Sequence, residues 1–142
     1  MQKQNSRHVV KWTGDMTFAG TSASGHSMVM DSDKNVGMSP MEMLLLSTAC
    51  CSAIDLVMIL KKGRQKVVDA WVEIDGTRRE EMPKYYTDVE MHFIVKGMDI
   101  EPKKVERAIQ LAMDKYCSAS AQLAALAKIT TSYDIIEGSL PE

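Results

Sequence analysis

Cysteine is scarce, and its placement excludes as much as its number. Cys50, Cys51 and Cys117 are the three cysteines of a 142-residue chain. They are too few for a disulfide scaffold, and a bridge between the adjacent pair would be strained. A reducing compartment is the expected setting. The first 25 residues show neither the apolar stretch of a secretory leader nor the Arg-rich pattern of a transit peptide, so the expected location is cytoplasmic. Charge of one sign is also missing: 17 Lys plus Arg stand against 19 Asp plus Glu, a formal net charge of -2. That balance argues against broad capture of nucleic-acid phosphates or of an anionic membrane. No repeat, linker, Gly-rich phosphate loop, nucleophile elbow or paired-carboxylate signature occurs, so no cofactor is expected. His8, His26 and His92 stand at no ligand spacing from the cysteines, so no metal site is expected either.

What the chain does contain is a globular composition, 45% hydrophobic and 25% charged, which predicts one domain over residues 1–142. Its 12 methionines read as adaptable packing. Met43 to Leu60 carries Asp55 as its one charge and reaches the lower length limit for crossing a bilayer. Asp55 near its middle, the hydroxyls of Ser47, Thr48 and Ser52, and the lack of a second such stretch favour instead a helix buried inside a protein. A domain this small cannot surround such a helix alone, so a second copy of the chain is its expected cover.

Short β-compatible runs at Val9–Thr13, Met16–Gly20 and His26–Asp31, parted by Gly14-Asp15 and Ser24-Gly25, predict a three-stranded meander. Ser39-Pro40-Met41-Glu42 then reads as a helix start with a capping box. Lys61-Lys62-Gly63 reads as its end, with the glycine suited to a left-handed exit. Alternation of apolar and polar residues over Lys66–Thr77 and Tyr86–Lys96 predicts a hairpin joined by the charged segment Arg78–Lys84, with Trp71 on the polar face. Val105, Ala108, Ile109, Ala112, Met113 and Tyr116 fall at helical spacing, and Cys117 lies at the end of that stripe. Ser118–Ala127 predicts a short helix, Ile129–Ile136 a last strand, and Gly138–Glu142 a frayed tail. The class is α+β with largely antiparallel pairing.

Chemistry rests with the thiols. Cys51 lies in the apolar helix, and Asp55, one turn later on its face, opposes thiolate formation there. Cys117 has Lys115 nearby and faces the amides that open the next helix, both of which favour a thiolate. For each, the ordinary alternative is an inert core thiol. Cys50 points about 100° away around the helix and reads as packing.

Lys11-Trp12-Thr13-Gly14-Asp15, the run Ser39-Pro40-Met41-Glu42-Met43-Leu44-Leu45-Leu46 leading to Cys51-Ser52-Ala53-Ile54-Asp55, and Asp114-Lys115-Tyr116-Cys117-Ser118 closely resemble the OsmC and organic hydroperoxide resistance (Ohr) family, in its YhfA-like branch. The resemblance covers nearly the whole chain. It implies an OsmC-like fold of antiparallel sheets around a long central buried helix, in an intertwined homodimer with active sites at the subunit interface. It implies Cys51 as peroxidatic and Cys117 as resolving cysteine, an organic hydroperoxide as substrate, and a dithiol or a lipoylated protein as reductant. Two positions depart from the family pattern. The family glutamate directly follows the proline, where this chain has Met41; Glu42 comes one residue later, and nine residues before Cys51 place it about 180° around an ideal helix from that thiol. No arginine occurs between Arg7 and Arg64, so Lys34 is the nearest substitute for the family's activating arginine, with Arg78 or Arg79 of a partner as another source. The competing expectation is a catalytically weak dimer that binds a small apolar ligand at the interface.

Overall fold

Ser39 opens a helix because it completes both halves of a capping box. Its hydroxyl accepts the Glu42 backbone N–H at 3.2 Å, while the Glu42 carboxylate accepts the Ser39 N–H at 2.9 Å. The next position is Pro40, where no N–H is needed. In the computed structural model, which describes residues 7–139, this helix, α1, spans Pro40–Lys62. Its exit differs from the expected one. The left-handed residue is Arg64, with φ of 59°, rather than Gly63. The Arg64 N–H bonds to the Lys61 carbonyl at 3.0 Å and the Gln65 N–H to that of Leu60 at 2.9 Å, the paired bonds of a Schellman end shifted one residue onward.

The chain divides into two compact units, Met1–Leu44 and Leu45–Glu142. In the first, β1 (Val9–Gly14), β2 (Thr17–Thr21) and β3 (Ser27–Asp31) form the expected antiparallel meander. Gly14 at φ 129° and Asp15 at φ 45° make its first turn, a conformation in which glycine and aspartate are the least strained. After β3, Asp31 organises the following loop. Its Oδ1 accepts the Asp33 N–H at 2.9 Å and its Oδ2 those of Asn35 and Val36 at 3.0 and 3.1 Å. The Val36 and Asp33 amides, helped by Asn35, hold the Asp31 carboxyl below its ordinary pKa against an opposing effect of burial.

In the second unit, β4 (Lys66–Arg78) and β5 (Tyr86–Met98) form the predicted hairpin, in a register that sets Val72 opposite Phe93. Val89, Met91, Phe93 and Val95 alternate along β5 on its buried side, and Trp71 is exposed as its place on the polar face requires. β6 (Lys128–Glu137) lies on the other edge of β5 and runs parallel to it, Phe93 opposite Tyr133. The remaining strand pairs are antiparallel. A parallel neighbour needs a crossover, and the helical segment after β5 supplies it.

That segment begins with α2 (Pro102–Leu111), whose Val105, Ala108 and Ile109 are buried. The predicted stripe does not continue as α-helix to Tyr116. Ala112–Tyr116 winds as a π turn, closed by the Cys117 N–H on the Ala112 carbonyl at 2.7 Å. The wider turn rotates the chain so that Tyr116 stands 49% exposed and Cys117 only 3%. α3 (Ser118–Ala124) follows. Lys104 Nζ donates to the Gly63 carbonyl at 3.1 Å and Tyr133 Oη to Glu106 at 2.6 Å, mooring α2 to the end of α1 and to β6. Gly138 of the expected tail donates to the Gly97 carbonyl at 3.0 Å, and residues 140–142 lie outside the described residues.

α1 is long and apolar enough to cross a membrane, and within the chain it is buried on one side. Thr48, Ala49, Ser52, Leu56 and Leu60 face inward, the two leucines contributing roughly 1.5–3 kcal/mol each. Leu46, Ile54 and Met58 are exposed, so the single chain leaves part of the helix uncovered, as expected of a domain this small.

Asp31 yields a test. Asparagine has one acceptor oxygen where Asp31 uses two, so Asp31→Asn leaves backbone amides of the 33–36 loop unpaired. Because the folded pKa is depressed, the stabilisation by the carboxylate is present above the unfolded value and lost as pH falls through the folded one. In denaturant titrations Asp31→Asn unfolds earlier than the parent at neutral pH, and the gap narrows as the pH drops below about 4.

Candidate thiol site

Thr48, Cys51, Ser52 and Asp55 occupy successive turns of one side of α1, the i, i+3, i+4 and i+7 pattern of a helical face. The π turn delivers Cys117 to the same side. The Cys51 and Cys117 sulfurs and an Asp55 carboxylate oxygen all lie within 4.8 Å of one another. Cys117 Sγ is 3.1 Å from Ser52 Oγ and accepts the Ser120 backbone N–H at 3.3 Å. The sulfur thus serves as N-cap of α3, which realises the sequence expectation that amides opening this helix face Cys117. The Ser52 hydroxyl donates to the Thr48 carbonyl at 2.9 Å and that of Ser120 to the Cys117 carbonyl at 3.1 Å. Each carries a single proton, so it can donate either to that carbonyl or to a neighbouring acceptor, but not to both at full strength.

The two thiols are pushed apart in acidity. Burial raises the Cys117 pKa, but the Ser120 hydroxyl, the Ser52 hydroxyl, the Ser120 N–H and Cys51 outweigh it, so Cys117 lies below the ordinary thiol value. The Ala119 backbone N–H favours a thiolate on Cys51. Burial, the Cys117 sulfur and the Asp55 carboxylate oppose it and prevail, leaving Cys51 above the ordinary value. Cys117 is therefore the more readily ionised of the two, while Cys51 is the less buried residue. Lys115, credited from sequence with favouring the Cys117 thiolate, places its Nζ 5.2 Å from the Tyr116 ring centroid, and hydroxyls and an amide take that part instead. Asp55 Oδ2 is buried with no hydrogen-bond partner among the described residues. Ser120 and Ala119 are not singled out by the sequence reading. The available signal is the Cys-x-x-Ser spacing of Cys117 and Ser120, which is that of an N-cap and the third residue of its helix.

Residues 31–132 match the family model described as OsmC-like protein. Protein YhfA of Escherichia coli K12 is 47% identical over 128 residues, covering 89% of this chain and 96% of the relative. The chain belongs to the OsmC family. A crystal structure of a hypothetical protein from Aquifex aeolicus, 30% identical, superposes with a TM-score of 0.85 over 94% of this chain and 97% of its own. The organic hydroperoxide resistance protein OhrB of Bacillus subtilis, 14% identical, shares the fold at a TM-score of 0.63 over 91% and 98% of the two chains.

In this OsmC-family chain Glu42, Arg78 and Arg79 have local structural duties. Glu42 and Lys34 belong to the first unit. The Ser39 amide and hydroxyl, with a smaller contribution from Lys34, hold the Glu42 carboxyl below its ordinary pKa against burial, and its capping role is explicit. Lys34 has φ of 60°. Arg78 Nε donates to the Lys84 carbonyl at 2.6 Å and Arg79 Nε to that of Pro83 at 2.8 Å, with the Arg79 guanidinium 4.2 Å from the Tyr85 ring centroid. Both arginines clamp their own hairpin loop. Cys50 is exposed and is not a member of the Cys51, Asp55 and Cys117 cluster.

Ser52→Ala removes a donor to the Cys117 sulfur. In reduced, metal-free protein the ultraviolet thiolate absorbance of Cys117, read in a Cys50→Ser background, then titrates at higher pH than in the Ser52 parent. At fixed neutral pH the thiolate fraction falls.

Proposed function

We propose that this protein is a cytoplasmic, homodimeric thiol-dependent peroxidase that reduces organic hydroperoxides. The observation that carries this reading is the approach of Cys51 and Cys117 from separate elements to within 4.8 Å, the former half-buried and the latter buried. The Cys51 sulfur attacks a peroxide oxygen and the O–O bond breaks. The alkoxide leaves with the Cys51 proton as an alcohol, and Cys51 becomes a sulfenic acid. Cys117 then displaces the hydroxyl: the sulfur–sulfur bond forms and water departs with the Cys117 proton. A dithiol or a lipoylated protein returns two electrons and two protons. The sulfurs need close only a short gap to reach bonding distance. Relatives of this fold in Bacillus subtilis and Legionella pneumophila are named organic hydroperoxide resistance proteins, in keeping with this substrate class.

Leu46, Ile54 and Met58 of α1, all exposed in the single chain, supply apolar surface for an alkyl tail and for a second subunit. Val9, Val10 and Trp12 of the first unit are exposed as well, an amount of apolar surface that association covers. A second copy, rather than lipid, is the occupant this reading assigns to them. Sedimentation at micromolar concentration gives about twice the 15.8 kDa of the chain; a stable folded monomer removes the shared site.

Stopped-flow mixing with an alkyl hydroperoxide and a dithiol donor tests the chemistry. Turnover exceeds that with hydrogen peroxide, Cys51→Ser abolishes it, Cys117→Ser stops at a sulfenic acid, and Cys50→Ser retains it. Peptide mapping finds a Cys51–Cys117 disulfide. Faster reaction with hydrogen peroxide rejects the substrate preference. Three free thiols after peroxide reject the mechanism and favour the apolar-ligand binder.

A further inference from the structure

Asp55 makes or breaks no bond in the thiol chemistry just described, yet its Oδ2 is buried, lacks a hydrogen-bond partner among the described residues and shares a 4.8 Å cluster with two sulfurs. A buried carboxylate oxygen left without a donor is costly. Among the described residues no Lys, Arg or His forms an ion pair with it. We propose that in the reduced protein Cys51, Cys117 and Asp55 form a binding site for one divalent cation of the zinc class, with a fourth coordination position open.

The donor set selects the class of ion. Two thiolates and one carboxylate suit a borderline-soft cation of tetrahedral habit, whereas magnesium and calcium require shells of oxygen. The geometry is close to what such an ion needs. With metal–sulfur bonds of about 2.3 Å and a metal–oxygen bond of about 2.1 Å, tetrahedral donors stand roughly 3.6–3.8 Å apart. Donors already within 4.8 Å of one another reach that spacing by small side-chain rotations. Cys51 and Asp55 are one helical turn apart on α1, so the helix presents both together, and the π turn closes the site with Cys117. The Ser52 hydroxyl and the Ser120 N–H, 3.1 and 3.3 Å from the Cys117 sulfur, orient that donor, as outer partners of metal ligands commonly do. Binding displaces the two thiol protons to solvent.

This inference stands apart from the peroxidase reading, since binding needs only reduced thiols and no turnover. The test titrates reduced, metal-free full-length protein with Zn2+ against a chromophoric chelator, and with Co2+ as a spectroscopic probe. One ion binds per chain, and the Co2+ form shows sulfur-to-metal charge-transfer absorption. Cys51→Ser, Cys117→Ser and Asp55→Asn each weaken Zn2+ binding about tenfold or more, at least the loss that outer partners of a metal site cause. Cys50→Ser leaves it unchanged. Far-ultraviolet circular dichroism checks that each variant is folded. Should Asp55→Asn fail to fold, alkylation of the parent decides: bound Zn2+ protects Cys51 and Cys117 and leaves Cys50 reactive. Absence of binding, affinity unaffected in folded Asp55→Asn, dependence on Cys50, or a Co2+ spectrum without thiolate bands overturns the proposal. Zinc binding without hydroperoxide turnover, or the reverse, separates the fate of this site from that of the peroxidase reading.

Discussion

The contact between Ser52 Oγ and Cys117 Sγ, 3.1 Å long across 65 residues of sequence, is the constraint on which the site depends. It joins the middle of α1 to the junction of the π turn with α3. Both residues are buried, so neither atom can take water as a substitute partner in this contact. Ser120 reinforces the contact from the other side through its amide. Cys117 is thus held by both helices. The distance between the two sulfurs, their unequal acidity and the confinement of Asp55 beside them all follow from that placement.

Local rules were enough for the elements whose physics is local. The alternation of Val89, Met91, Phe93 and Val95 against Glu90 and His92 predicts β5, and the burial along that strand follows it. The Ser39–Glu42 box is legible because its partners are three residues apart. Other features are decided by tertiary contacts. The stripe from Val105 to Tyr116 satisfies helical spacing to its end, and nothing in the pattern announces that Cys117 would take the buried place that Tyr116 gives up. β6 has the composition of a strand but carries no sign of direction; its parallel pairing follows from the helical crossover that precedes it. Arg64 takes the left-handed conformation beside a glycine better suited to it, and nothing in the structure explains that choice.

The site divides along the same line. Each cysteine can be picked out from its neighbours, and Asp55 can be placed on the face of Cys51 by counting residues. The encounter of that face with Cys117 cannot be counted, because it depends on the π turn. A search for metal ligands that starts from histidine spacing passes over a cluster made of two sulfurs and a carboxylate from distant segments. Glu42 shows the converse: its place near a proline draws attention as a catalytic candidate, and its local partners assign it to the end of a helix.

The sulfur of Cys117 is also the acceptor that starts α3, a helix of seven residues, far shorter than a helix that persists unaided in water. Such a segment depends on its cap and on packing. An ionised sulfur accepts the Ser120 amide more strongly than a neutral thiol does, and a sulfur committed to another bond accepts it less well. The chemical state of one atom is thereby written into the firmness of the first turn of α3. In thermodynamic terms the electron pair on Cys117 and the folding of α3 are linked variables, so whatever changes one changes the other.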